Sequence, residues 1–416
     1  MTNPVPLGLV GCGGMGQRHV LGYEALRATG HAAVEIVAVC DTNEENARRA
    51  AAEVARVDGR TPSVHLSVES ALADPAIAAF DVVTDASSHV GVVVPLLEAG
   101  RHVMSEKPLG LTVRSCRRMI ELAAKAGVVL ATAENYRRDP VNRLAKAVVD
   151  SGLLGELHLM TQTAVGGDDR IVITPWRHLK ERGAIGLDMG VHLTDIVRYY
   201  LGEIESVFGR GLIAEPVRRR QPGPELELES YRARFAEIPE QVVATGEDSV
   251  IAMYRMRSGV SVTVAYVPSG PGHSYWQRTV HGRAGSMAVP VDRSGGPVEV
   301  RRAAGVLRGR ELLGELDGFE LDRTTAELFG PGGVTYDLAS AQVDAALLAI
   351  ELQDFGEAIQ AGRPPEVDGT GGLNAVAAVL AAYESDRLGR SVTMSEVLDG
   401  SVSGYQDEID AALGLR

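Results

Sequence analysis

Three glycines near the start of the chain have the spacing needed to bind the phosphates of a nucleotide. Gly11, Gly13 and Gly16 form a G-x-G-x-x-G pattern directly after the apolar run VPLGLV, which predicts a strand. The first glycine permits a tight turn, the second lets a pyrophosphate approach the backbone, and the third lets a helix pack on the strand. The phosphates then lie at the helix N-terminus, where unpaired N–H groups and the helix dipole favour anions. Gly14 and Met15 are predicted to contribute to the same turn.

The sequence that follows the glycines strengthens this prediction. Because 47 of the 416 residues are glycine, the bare pattern is expected by chance roughly 0.6 times in such a chain. A second apolar run, VEIVAVC, ends at Asp41, so strand, turn, helix and strand fill one βαβ unit. A carboxylate at this position accepts hydrogen bonds from a ribose 2′-hydroxyl and repels a 2′-phosphate. NAD is therefore predicted in preference to NADP, and the alternative is that Asp41 caps the next helix.

A lysine and an aspartate–histidine pair are the candidates for proton transfer. Only four of the 41 basic residues are lysines, and Lys107 follows a predicted strand in RHVMSEKP. A lysine can be tuned to exchange a proton near neutral pH, whereas an arginine cannot. Asp188 and His192 are four residues apart near the start of a predicted helix, so they share a face. Asp188 could fix one imidazole tautomer while His192 takes a proton from a hydroxyl. The alternative is a first-turn carboxylate that stabilises the helix beside a packed histidine.

These residues lie at the ends of elements that alternate along residues 5–132. Strand-like and helix-like segments follow one another, which predicts a parallel sheet with helices on both faces. In such sheets ligands bind beyond the carboxyl ends of the strands. The glycine turn, Asp41, and the segments DASSH, EKP and AENYR all occupy such ends. We therefore predict a doubly wound Rossmann-type α/β domain over residues 1–136.

From about residue 137 the pattern changes, which predicts a second domain over residues 137–416. Longer runs with β-character, such as DSVIAMYRMRSGVSVTVAYV, are separated by turn signals and indicate a large, mostly antiparallel open sheet in an α+β domain. A helix is expected over about 187–201, and the helical C-terminal segments are expected to pack back on the first domain. The charged segment 218–241, within the wider insertion 214–245, is predicted to be a solvated loop.

Six motifs occur in order along almost the whole chain: GCGGMG, AGRHVMSEKP, AENYRRDP, SGLLGEL, WRHLKERGAIGLDMGVHLTDIVRYYLG and DFGEAIQAGRPPEVDG. In this order they resemble the glucose–fructose oxidoreductase, inositol dehydrogenase and MocA-type (Gfo/Idh/MocA) family of nicotinamide oxidoreductases. The resemblance implies that Lys107 lies near both the nicotinamide and the reacting hydroxyl. It also implies that His192 is the general acid/base, oriented by Asp188, and that the Lys107–Pro108 bond is cis.

The resemblance places further residues in the cofactor site. Ser87 and His89 follow the fourth predicted strand, where the family's cofactor loop lies, although DASSH lacks the Thr-Pro that members often carry there. Glu106, beside the lysine of EKP, and Asn135, after the sixth predicted strand, are assigned to the same site.

Other residues could contact cofactor or substrate. Trp176 and Arg177 resemble the family's WR element, often near cofactor or substrate, and a buried structural pair is the alternative. Tyr136 and Arg137 could line the cleft, although Tyr136 could equally pack between the domains. Lys180 could reach a substrate hydroxyl, and an exposed loop lysine is the alternative. Substrate specificity is expected in loops such as 166–183.

The bulk composition argues against several classes of protein. The net charge of −14, from 41 basic and 55 acidic residues, argues against nucleic acid or an anionic membrane as a partner. No apolar run is long enough to span a bilayer and no signal peptide is recognised, so a cytoplasmic protein is expected. Cys12, Cys40 and Cys116 show no C-x-x-C spacing, and no metal-binding motif occurs, so reduced thiols and no metal are predicted.

Together these features predict an NAD-dependent dehydrogenase that oxidises a ring hydroxyl of a sugar, a sugar derivative or an inositol. One alternative is a redox-neutral enzyme that oxidises its sugar transiently during glycoside cleavage or elimination. Another is a non-catalytic sensor that binds the dinucleotide, although such relatives typically lack the lysine or histidine. The resemblance also implies a homodimer or homotetramer, because the family's second-domain sheets often pack face to face.

Overall fold

The first part of the chain is built on a parallel sheet. The structure is a computed structural model that describes residues 3–221, 238–330, 332 and 334–415. Six strands pair in parallel in the order 3-2-1-4-5-6, which is the doubly wound Rossmann arrangement predicted above. The strands are β1 (Val5–Val10), β2 (Val34–Cys40), β3 (Ser63–His65), β4 (Ala79–Val82), β5 (His102–Glu106) and β6 (Leu130–Ala133).

Helices connect these strands and begin and end at local sequence signals. They are α1 (Gly14–Ala28), α2 (Glu44–Asp58), α3 (Val68–Leu72), α4 (His89–Glu98) and α5 (Val113–Ala126). The side chain of Asn43 caps α2, and Gly59 ends that helix in the left-handed conformation. In contrast, α1 begins directly after the glycine turn without a side-chain cap. Its first N–H groups are therefore available to an anion.

The second part of the chain forms a larger sheet. Within the described residues it has nine strands in the order 16-15-14-13-7-12-11-8-17, and only β12 and β7 pair in parallel. The mostly antiparallel sheet was predicted from the sequence. Its strands are β7 (Leu157–Val165), β8 (Ile204–Leu212), β11 (Ser249–Met256), β12 (Ser261–Val267), β13 (Tyr275–Gly282), β14 (Gly285–Val289), β15 (Glu299–Arg302), β16 (Gly305–Leu307) and β17 (Val392–Thr393).

The remaining helices cover one face of this sheet or return to the first part of the chain. They are α6 (Pro140–Asp150), α7 (Ala184–Leu201), α8 (Gly309–Gly314), α9 (Arg323–Phe329), α10 (Ser340–Ala361), α11 (Gly369–Leu388), α12 (Met394–Asp399) and α13 (Asp407–Ala412). Helices α7 and α11 pack on each other and on the inner face of the sheet. Short 3₁₀ turns occupy Tyr136–Arg138, Pro175–His178 and Lys180–Arg182.

Helix α10, from the C-terminal part of the chain, packs back along α1. A Cβ added at Gly22 of α1 would lie 2.6 Å from the Cβ of Leu348, so glycine permits this close approach. Leu352 and Phe355 of α10 join the hydrophobic core beneath the first sheet. Residues from the C-terminal part of the chain therefore share a core with the first sheet. The domain boundary at residue 136 stays a prediction.

Two element bounds differ from the sequence prediction. Helix α7 begins at Ala184, rather than at about residue 187, directly after Gly183 with its φ of +108°. The predicted loop 218–241 has strands at its ends, β9 (Val217–Arg219) and β10 (Gln241–Val243), which pair antiparallel. The rest of that prediction, over 222–237, lies outside the described residues. Within the described part of the chain, no helix has the length and apolar character needed to cross a bilayer.

Candidate active site

A cavity of about 590 Å³ lies at the carboxyl ends of the strands of the first sheet. Its floor comes from the glycine turn after β1 and from the residues that follow β2, β4, β5 and β6. The opposite wall comes from residues 172–177, helix α7 and Arg293. The cavity therefore lies between the two parts of the chain, where the parallel sheet is expected to bind its ligand.

The glycine turn has the backbone geometry that its spacing predicts. Gly11 has a φ of +94°, and a Cβ there would lie 2.7 Å from the carbonyl oxygen of Val83. A Cβ at Gly16 would lie 2.0 Å from the carbonyl oxygen of Gly11. Gly11, Gly13, Gly14 and Met15 line the cavity, whereas Gly16 serves the close packing of α1 against the turn.

Asp41 lies at the end of β2 and lines the cavity. Its Oδ2 accepts a hydrogen bond from the backbone N–H of Cys12 at 2.7 Å, and its Oδ1 accepts one from Asn43 at 2.8 Å. The alternative role as a helix cap is wrong, because the side chain of Asn43 caps α2. Asp41 is thus a carboxylate fixed between the glycine turn and α2.

These features fit a dinucleotide. The glycine turn and the uncapped N-terminus of α1 line the cavity, where free backbone N–H groups can bind a pyrophosphate. The carboxylate of Asp41 can accept from a ribose hydroxyl. Asn135 also lines the cavity, and its Oδ1 is buried and accepts no hydrogen bond from the described residues. It can therefore accept a hydrogen bond from a bound ligand.

Lys107 enters the cavity after β5 and contacts Asp188 of α7. Its Nζ lies 2.9 Å from both the carbonyl oxygen and Oδ1 of Asp188. Arg177 donates from Nε to Oδ2 of the same carboxylate at 2.9 Å. Burial raises the pKa of Asp188, but the charges of Arg177 and Lys107 more than offset this, so the pKa lies well below its usual range. The Lys107–Pro108 bond is cis, as predicted.

The predicted pairing of Asp188 with His192 is wrong. His192 Nδ1 lies 2.7 and 2.8 Å from the two carboxylate oxygens of Glu134, which directly follows β6. Asp188 shares a face of α7 with His192, but its carboxylate is bound by the two cations, Lys107 and Arg177. Burial raises the pKa of Glu134, but the charge and hydrogen bond of His192 lower it by more, so the net shift is downward.

Glu134 was not predicted to be a site residue. The available signal was its position in AENYR, where a carboxylate directly follows the sixth strand. Only 3% of the residue is exposed, so a charged Glu134 requires the partner that His192 supplies.

Tyr136 packs flat against His192. The two rings are 4.0 Å apart between centroids and are inclined by only 4°. The Cζ atom of Arg293 lies 5.3 Å from the centroid of the same tyrosine ring. All three residues line the cavity, and we call the part around Lys107, His192 and Tyr136 the reactive end. Arg293 was not predicted, because it follows β14 in a stretch without a recognisable motif.

Glu106 lines the cavity floor as predicted, within a buried network that was not predicted. Its Oε1 lies 3.1 Å from His19 Nε2, and His19 Nδ1 lies 2.7 Å from Asp81 Oδ2. Its other oxygen accepts from the backbone N–H of Lys107 at 2.9 Å. Burial lowers the pKa of His19, but Asp81 and Glu106 more than offset this and raise it well above its usual value. The network therefore ties α1 to the floor of the reactive end.

Ser87 and His89, predicted to contact the cofactor, are not among the residues that line the cavity. Helix α4 begins at His89, and its fully buried ring lies 3.0 Å from the carbonyl oxygen of Pro108 and 3.3 Å from that of Thr84. Ser87 donates to the side chain of Asp85. The neighbouring residues 83–86 line the cavity instead.

Arg137 and Lys180, predicted as candidate substrate contacts, also lie outside the cavity lining. Arg137 forms a two-point ion pair with the buried Asp195, with Nε 2.7 Å from Oδ2. Lys180 Nζ lies 2.8 Å from Glu408 Oε2 and 4.3 Å from the centroid of the Tyr405 ring. Arg137 and Lys180 are thus paired with Asp195 and Glu408, and no sequence motif predicted either pair.

The remaining predicted residues of the wall do line the cavity. Trp176 and Arg177 both contribute, and the Arg177 Cζ lies 4.9 Å from the centroid of the Trp176 ring. Nearby, Ile173 has a φ of 60°, a conformation rarely adopted by β-branched residues. Such backbone strain clusters at functional sites.

No metal-binding arrangement is present among residues 3–221, 238–330, 332 and 334–415. Within these ranges no group of three or more His, Cys, Asp or Glu side chains could hold a metal ion.

The fold and the cavity define an oxidoreductase with a dinucleotide-binding Rossmann sheet. Residues 5–134 match the family described as "Oxidoreductase family, NAD-binding Rossmann fold". Residues 142–288 match the "GFO/IDH/MocA C-terminal domain". The chain belongs to the Gfo/Idh/MocA family, as its motifs suggested.

Named relatives and solved structures agree with this assignment. The chain is 29% identical over 296 residues to levoglucosan dehydrogenase from Pseudarthrobacter phenanthrenivorans, which covers 69% of this chain and 74% of the relative. It is 26% identical over 394 residues to myo-inositol 2-dehydrogenase from Thermotoga maritima, which covers 94% and 99%. A structure of levoglucosan dehydrogenase with NADH and levoglucosan shares the fold, with a TM-score of 0.73 at 22% identity over 94% of this chain and 100% of that one.

The family assignment gives the general class. The protein is an oxidoreductase with an NAD-binding Rossmann domain.

Proposed function

We propose that this protein is a dehydrogenase that oxidises a ring hydroxyl of a sugar, a sugar derivative or an inositol. The observation that carries the proposal is that Lys107 and His192 both line the reactive end. Each of these side chains is held by its own buried carboxylate, Lys107 by Asp188 and His192 by Glu134. The relatives named levoglucosan dehydrogenase and myo-inositol 2-dehydrogenase support a polyhydroxylated ring as the substrate.

His192 would act as the general base. Because Glu134 accepts from Nδ1–H, a neutral His192 carries its proton on Nδ1 and leaves Nε2 free to take one from a hydroxyl. The carboxylate of Glu134 then stabilises the imidazolium that forms, and the stacked ring of Tyr136 limits rotation of the imidazole.

Lys107 would orient and polarise the same hydroxyl. An ammonium group has three N–H donors, and two of them are used by the carbonyl oxygen and Oδ1 of Asp188. The third can be donated to the substrate oxygen, where the positive charge favours its deprotonated form. Asp188 therefore acts on the lysine and not on the histidine.

NAD would be held by the glycine turn, Asp41 and Asn135. When bound, it supplies the oxidant by accepting hydride from the carbon that bears the hydroxyl. Residues 172–177 cover the cavity from the other side, and Trp176 and Ile173 contribute apolar surface that excludes water from the reactive end.

The test is the nicotinamide absorbance of the purified protein mixed with excess NAD. The panel contains inositols, free hexoses, anhydrosugars, sugar acids and glycosides. Sustained NADH formation with one compound would support the proposal and identify the substrate class. No NADH formation despite measured NAD binding would contradict it. Aglycone release with substoichiometric NAD would indicate the redox-neutral alternative, and unchanged cellular function after alanine at Lys107, Asp188 and His192 would indicate a sensor.

We also propose that the protein forms a homodimer or homotetramer through the outer face of the nine-stranded sheet. On this face Phe208 pairs across the strands with Met253, and the neighbouring Ile251 is also exposed. Phe208 is 54% exposed, Met253 57% and Ile251 44%. An exposed apolar patch on a broad sheet favours burial against a second copy of the chain. Light scattering should show an oligomer that Met253→Glu dissociates, and a monomeric native protein would contradict the proposal.

A cytoplasmic location is proposed from the cysteines. Cys12, Cys40 and Cys116 are all free and buried. Burial raises the pKa of Cys40 to about 11 and that of Cys116 to about 12, so these thiols stay protonated. Free thiols fit a reducing compartment, and cell fractionation would test the location.

A further inference from the structure

Arg293 is fixed at the cavity wall although the proposed proton transfer does not use it. Its backbone has a φ of 60°, a left-handed conformation that is uncommon outside glycine. Its N–H donates to Asp139 Oδ2 at 3.0 Å. The preceding residue, Asp292, pairs with the buried Arg278 at 2.6 and 2.7 Å. Strain of this kind persists only where neighbouring contacts fix the chain, and it is typical of ligand sites.

The charge of Arg293 is only partly neutralised. Its NH1 donates to Asp344 Oδ1 at 2.5 Å. The other oxygen of this carboxylate lies 3.4 Å from NH1 of Arg18, which also lines the cavity. Arg293 therefore shares the single negative charge of Asp344 with a second guanidinium group, and its own charge is offset only in part. On the floor, the carboxylate of Glu106 is engaged by His19.

Tyr136 connects Arg293 to the reactive end. The ring of Tyr136 contacts both residues. The Cζ of Arg293 lies 5.3 Å from the ring centroid, and the ring of His192 stacks on it with 4.0 Å between centroids. The hydrogen bonds that Tyr136 makes to the described part of the chain use its backbone N–H and carbonyl oxygen and not its hydroxyl. Arg293 and Tyr136 therefore offer N–H and O–H donors to one ligand group close to His192.

We propose that Arg293 and Tyr136 bind a carboxylate of the substrate, so that the substrate is a sugar acid of the uronate class. This inference rests on the proposed dehydrogenase function and adds the chemical class of the substrate. The planar fork of Arg293 matches the two oxygens of a carboxylate. Because Asp344 offsets part of the cationic charge, the subsite suits a monoanion better than a phosphate dianion.

Calorimetric binding in the presence of NADH, which prevents turnover, tests this subsite. The probes are D-glucuronate and D-galacturonate, each compared with its neutral amide. In the native protein at least one acid should bind about tenfold or more tightly than its amide, as expected for a charge-assisted pair. Arg293→Gln should remove this preference. Arg293→Lys keeps the positive charge but loses the planar guanidinium, so it should retain part of the preference for the acid.

A matched control removes the same charge elsewhere. Arg283 lies in the turn between β13 and β14, is paired with Glu156 and has 79% of its side chain exposed. Arg283→Gln should leave the preference for the acid unchanged. NADH affinity should be the same in all these variants, because Arg293 is assigned to the substrate and not to the cofactor.

Several results would overturn the subsite. They are equal binding of acids and amides, no binding of either acid, tighter binding of glucose 6-phosphate, or a preference that survives Arg293→Gln. Loss of NADH affinity in Arg293→Gln would assign the arginine to the cofactor phosphates and would also overturn it. Failure of the proposed function is distinguishable, because the protein would then form no NADH with any ring compound. NADH formation from neutral sugars alone would overturn only the subsite.

Discussion

The two ends of the cavity are built in different ways. The part around the glycine turn and Asp41, which we propose as the nucleotide end, comes from the continuous stretch 5–41 and offers backbone N–H groups and one carboxylate. The reactive end instead brings together side chains from separate segments, namely Lys107, Glu134, Tyr136, Arg177, Asp188, His192 and Arg293. Spacing along the chain fixes the geometry of the first end, whereas tertiary packing decides which partners meet at the second.

The carboxylate partners at the reactive end differ from those predicted. The sequence suggested one carboxylate, Asp188, for one base, His192. The structure has two separate pairs, Lys107 with Asp188 and His192 with Glu134. Each pair can therefore be broken by a single substitution that leaves the other pair in place. Variants at the reactive end can then be compared with a variant of Asp41 at the nucleotide end.

The largest effect is expected for Lys107→Met. Loss of the ammonium group that orients the hydroxyl and stabilises its deprotonated form should lower kcat by ~10²–10³-fold, while NAD affinity stays close to native because the glycine turn is untouched. Steady-state kinetics and NAD titration measure both. Lys180→Met is the matched control, since the structure places this lysine on Glu408 outside the cavity. Near-native turnover in Lys107→Met, or an equal loss in Lys180→Met, would contradict the assignment.

Glu134→Gln should have the next largest effect. The amide can still accept from His192 Nδ1 but no longer stabilises the imidazolium, so we expect kcat to fall by about 10²-fold. The control is Glu366→Gln, which removes a carboxylate bound by Arg138 and Arg143 outside this cavity. Unchanged kcat in Glu134→Gln, measured where both variants remain folded, would argue that Glu134 is only structural.

Asp41→Asn should act on the nucleotide end alone. Hydrogen bonds to a charged group are stronger than neutral ones, so the Kd for NAD should rise about tenfold and the preference over NADP should narrow. Turnover at saturating NAD should stay close to native. Glu44→Gln, an exposed carboxylate three residues further on, is the control. Fluorescence titration with both cofactors measures the effect, and a native preference in Asp41→Asn would count against the assignment.

The smallest effect is expected for Glu351→Gln, which tests an acid buried in the neighbourhood of the reactive end. Both carboxylate oxygens of Glu351 lack hydrogen bonds among the described residues, and the closest cation, Arg138, is 4.0 Å away. Burial raises the pKa of Glu351 well above 4.5, although Arg138 partly offsets this.

The sign of the pH effect follows from this raised pKa. Above pH 4.5 the unfolded chain releases the proton that the folded protein retains, so Glu351 lowers stability increasingly as pH rises. Glu351→Gln should therefore raise the melting temperature by a few degrees at pH 8 and change it little at pH 4. A lower melting temperature at pH 8 would show that Glu351 is ionised and paired with Arg138.

Much of the fold could be predicted from the sequence because its signals are local. The alternation of apolar runs and helical segments over 5–132 gave the parallel sheet, and β-rich runs gave the second sheet. The start of α7 was placed too late, because Gly183 precedes the apolar pattern that the prediction relied on. The pairing of β9 with β10 was missed, since charged residues in 218–241 favoured a loop.

The candidate site was predictable only in part. Glycines and Asp41 were identifiable because one motif sets their positions. The partner of His192 was misassigned, because helical spacing shows that Asp188 is near but not that Lys107 and Arg177 bind it.

Long-range contacts explain the other errors. Arg137, for example, is held by Asp195, 58 residues away, and His89 is turned into the core at the start of α4. No local pattern encodes such contacts, and the role of Arg293 depends on them entirely.

The central claim, net oxidation of a ring hydroxyl, is tested most directly by isotope transfer. A compound that gives turnover in the panel would be prepared with deuterium on the carbon to be oxidised. Our account predicts that this deuterium appears in NADH, in amounts equal to the oxidised product that accumulates. Return of the deuterium to a released sugar, with NAD reduced only transiently, would contradict net oxidation and establish the redox-neutral reaction instead.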